Sequence, residues 1–489
     1  MNDTPNQPNQ ASESLRNQVR SAVIWRSGTQ ILGQLITWAS TFLVIRILNP
    51  ADYGLYAMTQ VVLVLLNMLN GYGLASGLIQ RESVDRHAMR QIFGMLILVN
   101  LALAILQVAL APLAAAYFRQ PMVAHMLRVE ALIYITTPFI AFPFALLARD
   151  MEFRRQAQVN FASAISGACA ALAGAMAGLG VWTLVLAPIT LFSVRAIGMM
   201  WAARAWMRPS FDFRGAGSLA RYGGLMAAGQ IFWFVQSQAD VFIAGRHFDP
   251  HLLGIYTTSL FLTQIFVSKF VPPVNEVAFS AYARIQQDKS AVGYAFVKSV
   301  RVIMVAAMPF YLGLAVTAEP LVAVMLGAKW IEAGPIVRLL ALAMPFMTLQ
   351  VLFAPASDAM GRPGISARNS ATGAILLSIG FLAGVRWGVT GLAASWLATY
   401  PLYLFISARR TLPVIGARWR AVGAAIAPPL LAASAMAALC LMVDGAFAQT
   451  LPPVSRLAIL VATGAASYGA LLMLFARSLV AEIWGLVRR

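Results

Sequence analysis

Charge is scarce in this chain. Asp and Glu number 18 among 489 residues, and charged residues together make up 11%, less than half the ~25% of a soluble domain. With 60% hydrophobic residues and a mean hydropathy of +0.73, a water-soluble globular protein is excluded. Cysteine is nearly absent as well. Cys169 and Cys440 each sit in an apolar run, away from His or another Cys, which argues against a disulfide framework and a thiolate metal site. Of four histidines only His247 and His251 are close, and they flank a turn containing Asp249 and Pro250, where a helical metal pair is not expected. No phosphate-binding loop, dinucleotide fingerprint or nucleophile elbow occurs. No connection between apolar segments reaches the ~50 residues of an independent catalytic domain. These absences predict no catalytic residue, no metal and no enzyme. Residues 1–21 are rich in Asn, Gln and Ser and lack the apolar core of a signal peptide, so a disordered cytoplasmic tail is expected there.

What the chain has is apolar windows, about fourteen of them, each near the ~20 residues that cross a bilayer as a helix. The expected fold class is an all-α polytopic membrane protein with about fourteen transmembrane helices. With the amino terminus in the cytoplasm, 26 of the 36 Lys and Arg residues fall on the cytoplasmic side and 8 on the other. Arg195 and Lys269 lie within spans. That bias orients the chain, places both termini in the cytoplasm, and assigns most of the +18 net charge to topology beside anionic headgroups rather than to nucleic acid. Gly71–Gly73 and Pro272–Pro273 predict broken or bent helices. Trp182, Trp330, Trp387 and Trp419 near span ends read as interfacial anchors.

The chain also repeats itself. Ile45–Tyr56 reads IRILNPADYGLY and Gly245–Tyr256 reads GRHFDPHLLGIY, with Arg, Pro, Gly and Tyr in the same four slots. Gln30, Ile31, Ala39 and Phe42 match Gln230, Ile231, Ala239 and Phe242 at the same 200-residue offset. Eight of 27 aligned positions are identical, where about two are expected by chance. An echo at offset 208 pairs Asp150 and Arg154 with Asp358 and Arg362. Two like halves in an apolar chain is the build of many secondary transporters.

The repeated phrase, FALLARDMEFRR at 144–155 and ASDAMGRPG at 356–364 together resemble one family. It is that of the Wzx-type O-antigen and exopolysaccharide flippases, polysaccharide transporters of the multidrug/oligosaccharidyl-lipid/polysaccharide exporter superfamily. The resemblance covers nearly the whole chain. It implies two pseudo-symmetric six-helix bundles, 22–204 and 222–407, a cytoplasmic linker at 205–221, and two extra helices with a tail at 408–489. It further implies carriage of an undecaprenyl-diphosphate-linked oligosaccharide across the bacterial inner membrane, with membrane lipids, a polysaccharide polymerase and export proteins as partners. A drug or cation antiporter of the same superfamily is the alternative; a membrane glycosyltransferase or polymerase would need a large catalytic loop that is missing.

A diphosphate headgroup needs a hydrated, cationic path, because one charge at the bilayer centre costs at least ~2.5–3.5 kcal/mol. Arg26, Arg195 and Arg46 are spaced by depth through the first half; Lys269 and Arg246 lie in the second. Arginine suits diphosphate through its planar, bidentate fork. Snorkelling explains Arg26 and Arg46 equally well, and Arg46 and Arg246 also read as braces of the repeated loop. Asp240 stands where the superfamily resemblance places an acid. It reads either as the site of a coupling proton or sodium ion or as half of a static salt bridge to Arg46 or Arg246. Gln30, Gln34, Gln230, Gln236 and Gln238 either line the path or tie helices together.

Overall fold

The computed structural model describes residues 32–70, 86–212, 217–447 and 451–475, with side chains from 231 onward in the helix that begins at Gly217. Every regular element among them is helical. Clustering of contacts divides the chain into two compact units, Met1–Gln230 and Ile231–Arg489. Ten helical segments among the described residues are long and apolar enough to cross a membrane, and a shorter apolar helix, Leu32–Ile47, precedes them. The chain is a multi-pass membrane protein. The ten segments and the fourteen windows differ partly because Pro363–Ile415 is one 53-residue apolar run. It holds two helices, Pro363–Gly384 and Gly388–Ile415, joined by a 3-10 turn at Val385–Trp387.

In the amino-terminal unit the helices are α1 (Leu32–Ile47), α2 (Pro50–Asn67), α3 (Arg86–Phe118), α4 (Pro121–Glu130), α5 (Leu132–Thr136), α6 (Pro138–Arg149), α7 (Phe153–Met176) and α8 (Val181–Ala202). From Pro121 to Arg149 the chain is one apolar segment with small irregularities at Ala131 and Thr137. The helix spanning the unit boundary is α9 (Gly217–His247). It is followed by α10 (Pro250–Arg284), α11 (Lys289–Met325), α12 (Ala333–Val351), α13 (Phe353–Ala359), α14 (Pro363–Gly384), α15 (Gly388–Ile415), α16 (Trp419–Phe447) and α17 (Pro453–Phe475).

The repeated phrase is a joint between helices. Leu48 N–H donates to Val44 carbonyl at 2.9 Å and Phe248 N–H to Ala244 carbonyl at 2.8 Å, closing α1 and α9 in the same register. Pro50 and Pro250 then start α2 and α10, where the missing proline N–H loses no helical bond. The orphan amides are capped in mirrored ways. Asp52 reaches back to accept from Asn49 N–H at 3.0 Å, whereas Asp249 reaches forward to accept from Leu252 N–H at 2.9 Å.

These helices sharpen two expectations, at Pro272–Pro273 and at Trp330. Of the two outcomes expected at Pro272–Pro273, a break or a bend, the break does not occur: α10 runs through both prolines for 35 residues. Instead the prolines remove the i→i−4 donors to the Ser268 and Lys269 carbonyls, one turn earlier. The stretch Phe279–Ser299 is mostly helix, since α10 ends at Arg284 and α11 begins at Lys289. At 35 and 37 residues, these helices are ~50 Å long, well beyond a ~30 Å hydrocarbon core. The apolar segment that includes Ala131 begins at Pro121 and so carries a second buried acid, Glu130, besides Asp240. Trp330 is no interfacial anchor, being 0% exposed in the 3-10 turn Ala328–Trp330. Gly71–Gly73 falls outside the described residues.

Candidate functional site: a cavity around Arg195

Two helices of the amino-terminal unit, α7 and α8, pack along much of their length, and two glycines set how closely. A Cβ on Gly167 would stand 2.9 Å from Leu191 Cβ, and one on Gly198 would stand 2.8 Å from Val159 Cγ1. Glycine at both places lets the backbones approach and brackets Arg195 between two close contacts. Polar side chains on α7 are thereby held across from the Arg195 guanidinium.

The result is a cavity of about 380 Å³. Gly33, Gln34 and Thr37 of α1 line one side, Phe144 of α6 another, and Gln156, Asn160 and Phe161 of α7 face Leu191 and Arg195 of α8. Gln156 is anchored, its Nε2 donating to the Phe144 carbonyl at 3.0 Å, which leaves Oε1 as an acceptor. Thr37 turns its hydroxyl back to the Gly33 carbonyl at 2.8 Å. One guanidinium, three amides and aromatic faces therefore converge, and among the described residues no acidic side chain lines the cavity. Such a set donates charge-assisted hydrogen bonds to an anion and exchanges neutral ones with hydroxyls.

The second polar centre lies in the carboxyl-terminal unit. Asp240 on α9 is 1% exposed. Its Oδ2 accepts from the Tyr256 phenol at 2.7 Å and its Oδ1 from Val241 N–H at 2.8 Å. Trp396 Nε1–H donates in turn to the Tyr256 oxygen at 2.8 Å, and its ring stacks on Tyr400 with centroids 5.2 Å apart. Neutral donors, not an arginine, supply those bonds to Asp240. Tyr256 is the last residue of the repeated phrase, so the phrase carries this partner as well as the joint.

The other candidates are dispersed. Arg46 is exposed near the end of α1, Arg246 is half-buried near the end of α9, and Lys269 is exposed in mid-α10. Gln34 reaches the Arg195 cavity. Gln236 accepts from the Tyr403 phenol at 3.4 Å and so ties α9 to α15. Arg26, Gln30 and the side chain of Gln230 fall outside the described residues. Gln156 and Asn160 were not singled out from sequence. Their i, i+4 spacing on one helix face was the available signal, hidden because Arg154, Arg155 and Gln158 make the start of α7 look like loop.

Residues 43–335 match the family described as polysaccharide biosynthesis protein. The succinoglycan biosynthesis transport protein ExoT of Rhizobium meliloti (strain 1021) is 25% identical over 342 residues, 69% of each chain. The lipopolysaccharide biosynthesis protein WzxC of Escherichia coli (strain K12) is 22% identical over 330 residues, 67% of each. In fold, the inward closed form of the lipid II flippase MurJ superposes with a TM-score of 0.73 at 13% identity, covering 94% of this chain and 100% of that one. An inward-facing multidrug resistance MATE family transporter gives 0.58 at 14% identity, covering 80% and 98%. With more than half its length matched, the chain belongs to the polysaccharide biosynthesis protein family, that of the Wzx-type flippases.

Proposed function

We propose that this protein moves an undecaprenyl-diphosphate-linked oligosaccharide from the cytoplasmic to the periplasmic leaflet of a bacterial inner membrane, feeding a polysaccharide polymerase and export proteins. The Arg195 cavity is the observation that carries the proposal. It takes the polar headgroup while the lipid tail stays in the bilayer, and alternating access opens it to each side in turn. Arg195 offsets phosphate charge, Gln34, Gln156 and Asn160 exchange hydrogen bonds with phosphate oxygens or sugar hydroxyls, and Phe144, Phe153 and Phe161 supply apolar walls. A lining that holds an arginine, and no carboxylate among the described residues, favours anionic over cationic cargo, which argues against a drug or cation antiporter.

Asp240 serves as the coupling site in this scheme. Proton or sodium binding to its carboxylate competes with the Tyr256 hydrogen bond and biases the transporting states.

The test is a leaflet assay in proteoliposomes with a labelled diphospholipid-linked glycan. Arg195→Ala removes the charged donor, and the rate should fall by at least about 30-fold, the equivalent of ~2 kcal/mol. Arg195→Lys should retain part of it. Equal rates in wild type and Arg195→Ala would remove Arg195 from the site. In the same vesicles, wild-type transport by Asp240→Asn with unchanged pH and sodium dependence would end the coupling role.

A further inference from the structure

Glu130 stands apart from everything described so far. It is 1% exposed, lies inside the apolar segment Pro121–Arg149, and is not among the residues that line the Arg195 cavity. Its Oε1 accepts from the Thr59 hydroxyl at 3.2 Å. That hydroxyl has one proton and also lies 2.9 Å from the Tyr56 carbonyl, so the bond to Glu130 is shared. Its Oε2 has no hydrogen-bond partner among the described residues.

The contrast with Asp240 is direct. An ionised carboxylate wants several donors when buried, and Glu130 has a fraction of one. Its position adds to the difficulty. Glu130 closes α4 where the helix gives way to the turn at Ala131, and the carbonyl end of a helix disfavours negative charge. Around it the buried oxygens Gln107 Oε1 and Tyr134 Oη also lack partners among the described residues. α3 is tied to the same helix by Gln107 Nε2 donating to the Leu127 carbonyl at 2.7 Å.

The ionisable groups on the elements packed against α4 are few. α2 brings Asp52 and Tyr53 in its first turn and then Tyr56, α3 has Tyr117 near its end, and α5 brings Tyr134; Tyr56 and Tyr134 are close enough to interact electrostatically with the carboxylate. α3 carries its charges, Arg86, His87 and Arg90, in its first turns, and α8 carries Arg195 in the cavity lining. On α4 itself His125 and Arg128 are exposed.

We propose that Glu130 is a proton-binding site of the amino-terminal unit, loaded and emptied at the α4–α5 turn and separate from Asp240. A proton on Oε2 removes the uncompensated charge and provides a donor to the neighbouring phenol oxygens. On leaving, it creates a buried anion that this packing does not satisfy, so release requires α2, α3 and α4 to rearrange or admit water. The proton comes from and returns to the aqueous phase.

The experiment is infrared difference spectroscopy of the full-length protein in lipid nanodiscs, titrated with acid and base in sodium-free buffer. A carbonyl stretch of a protonated carboxylic acid should appear on acidification. It should be lost in Glu130→Gln and retained in Asp240→Asn. Thr59→Val removes a donor that bonds the ionised form more strongly than the neutral acid, and should move the titration midpoint up by about one pH unit, while Thr59→Ser leaves it in place. The threonine variants keep the test readable if Glu130→Gln folds poorly. Three results overturn the proposal: a band unchanged in Glu130→Gln, a Glu130 band present at every pH at which the protein stays folded, or a carboxylate signal that answers to sodium and not to pH.

Discussion

In the amino-terminal unit Tyr56 follows a joint whose preceding helix carries Ser40; in the carboxyl-terminal unit Tyr256 follows the same joint after Asp240, 200 residues on. Ser40 donates to the Ala168 carbonyl at 3.2 Å and ties α1 to α7. Asp240 accepts from Tyr256 and builds a network that reaches Trp396. A second pair of positions differs as strongly. At the 208-residue offset Arg195 corresponds to Tyr403, and the flanking structure agrees, with glycines at positive φ, Gly180 just before α8 and Gly388 at the first position of α15, opening the helices that carry them. Arg195 lines a cavity. Tyr403 is 1% exposed and accepts from Gln350 at 2.6 Å. Duplication therefore kept the joints, which depend on proline, capping side chains and tight backbone turns. It did not keep the polar chemistry: one unit holds a cation that lines a cavity, the other a buried network of hydroxyl, amide and carboxylate.

This contrast can be broken by mutation. The largest effect on stability is expected from Tyr256→Phe, which leaves Asp240 Oδ2 without its donor and Trp396 Nε1 without its acceptor. Two buried groups unsatisfied should cost at least about 2 kcal/mol, read from denaturant unfolding followed by tryptophan fluorescence. Tyr56→Phe, whose phenol makes no such pair of bonds among the described residues, should cost less than about 1 kcal/mol. Equal losses would show that the two units are not chemically distinct at this tyrosine. A smaller effect concerns capping. The Asp288 side chain accepts from the Ser290 hydroxyl and from the Ala291 and Ser290 amides at the start of α11, and these donors hold its carboxyl below the usual range. A depressed carboxyl stabilises the fold above its unfolded value and loses that contribution as pH falls through its folded value. Asp288→Asn should therefore flatten the acid side of the stability profile slightly. An unchanged profile would assign the acid sensitivity to other carboxylates.

Much of this architecture was legible in the chain, for definite reasons. Apolar windows marked the helices because a bilayer demands continuous apolar length and internally paired backbone. Pro50 and Pro250 marked the joints because proline is tolerated in the first turn. Arg195 stood out because a charge in mid-span is costly. The failures share one cause. Gln120, His125, Arg128 and Glu130 lower the hydropathy of α4, and Arg154, Arg155, Gln156 and Gln158 lower that of α7, so both helices were begun too late. Gln156 and Glu130 thereby read as loop from the sequence, whereas Asn160 falls inside the apolar window of α7. Pro272–Pro273 failed differently, because a long helix packed on its neighbours absorbs two missing donors that a local rule treats as a break.

By itself, the sequence determined a helical membrane protein, its family, its duplicated joints and the presence of a mid-span arginine, since these follow from hydropathy, backbone stereochemistry and sequence identity. Tertiary structure alone decided that Gln156 and Asn160 share a cavity with Arg195, that Tyr256 satisfies Asp240, and that Glu130 lies buried with one shared donor. Those facts depend on which faces of helices far apart in the chain are packed together, and local pattern carries no record of that.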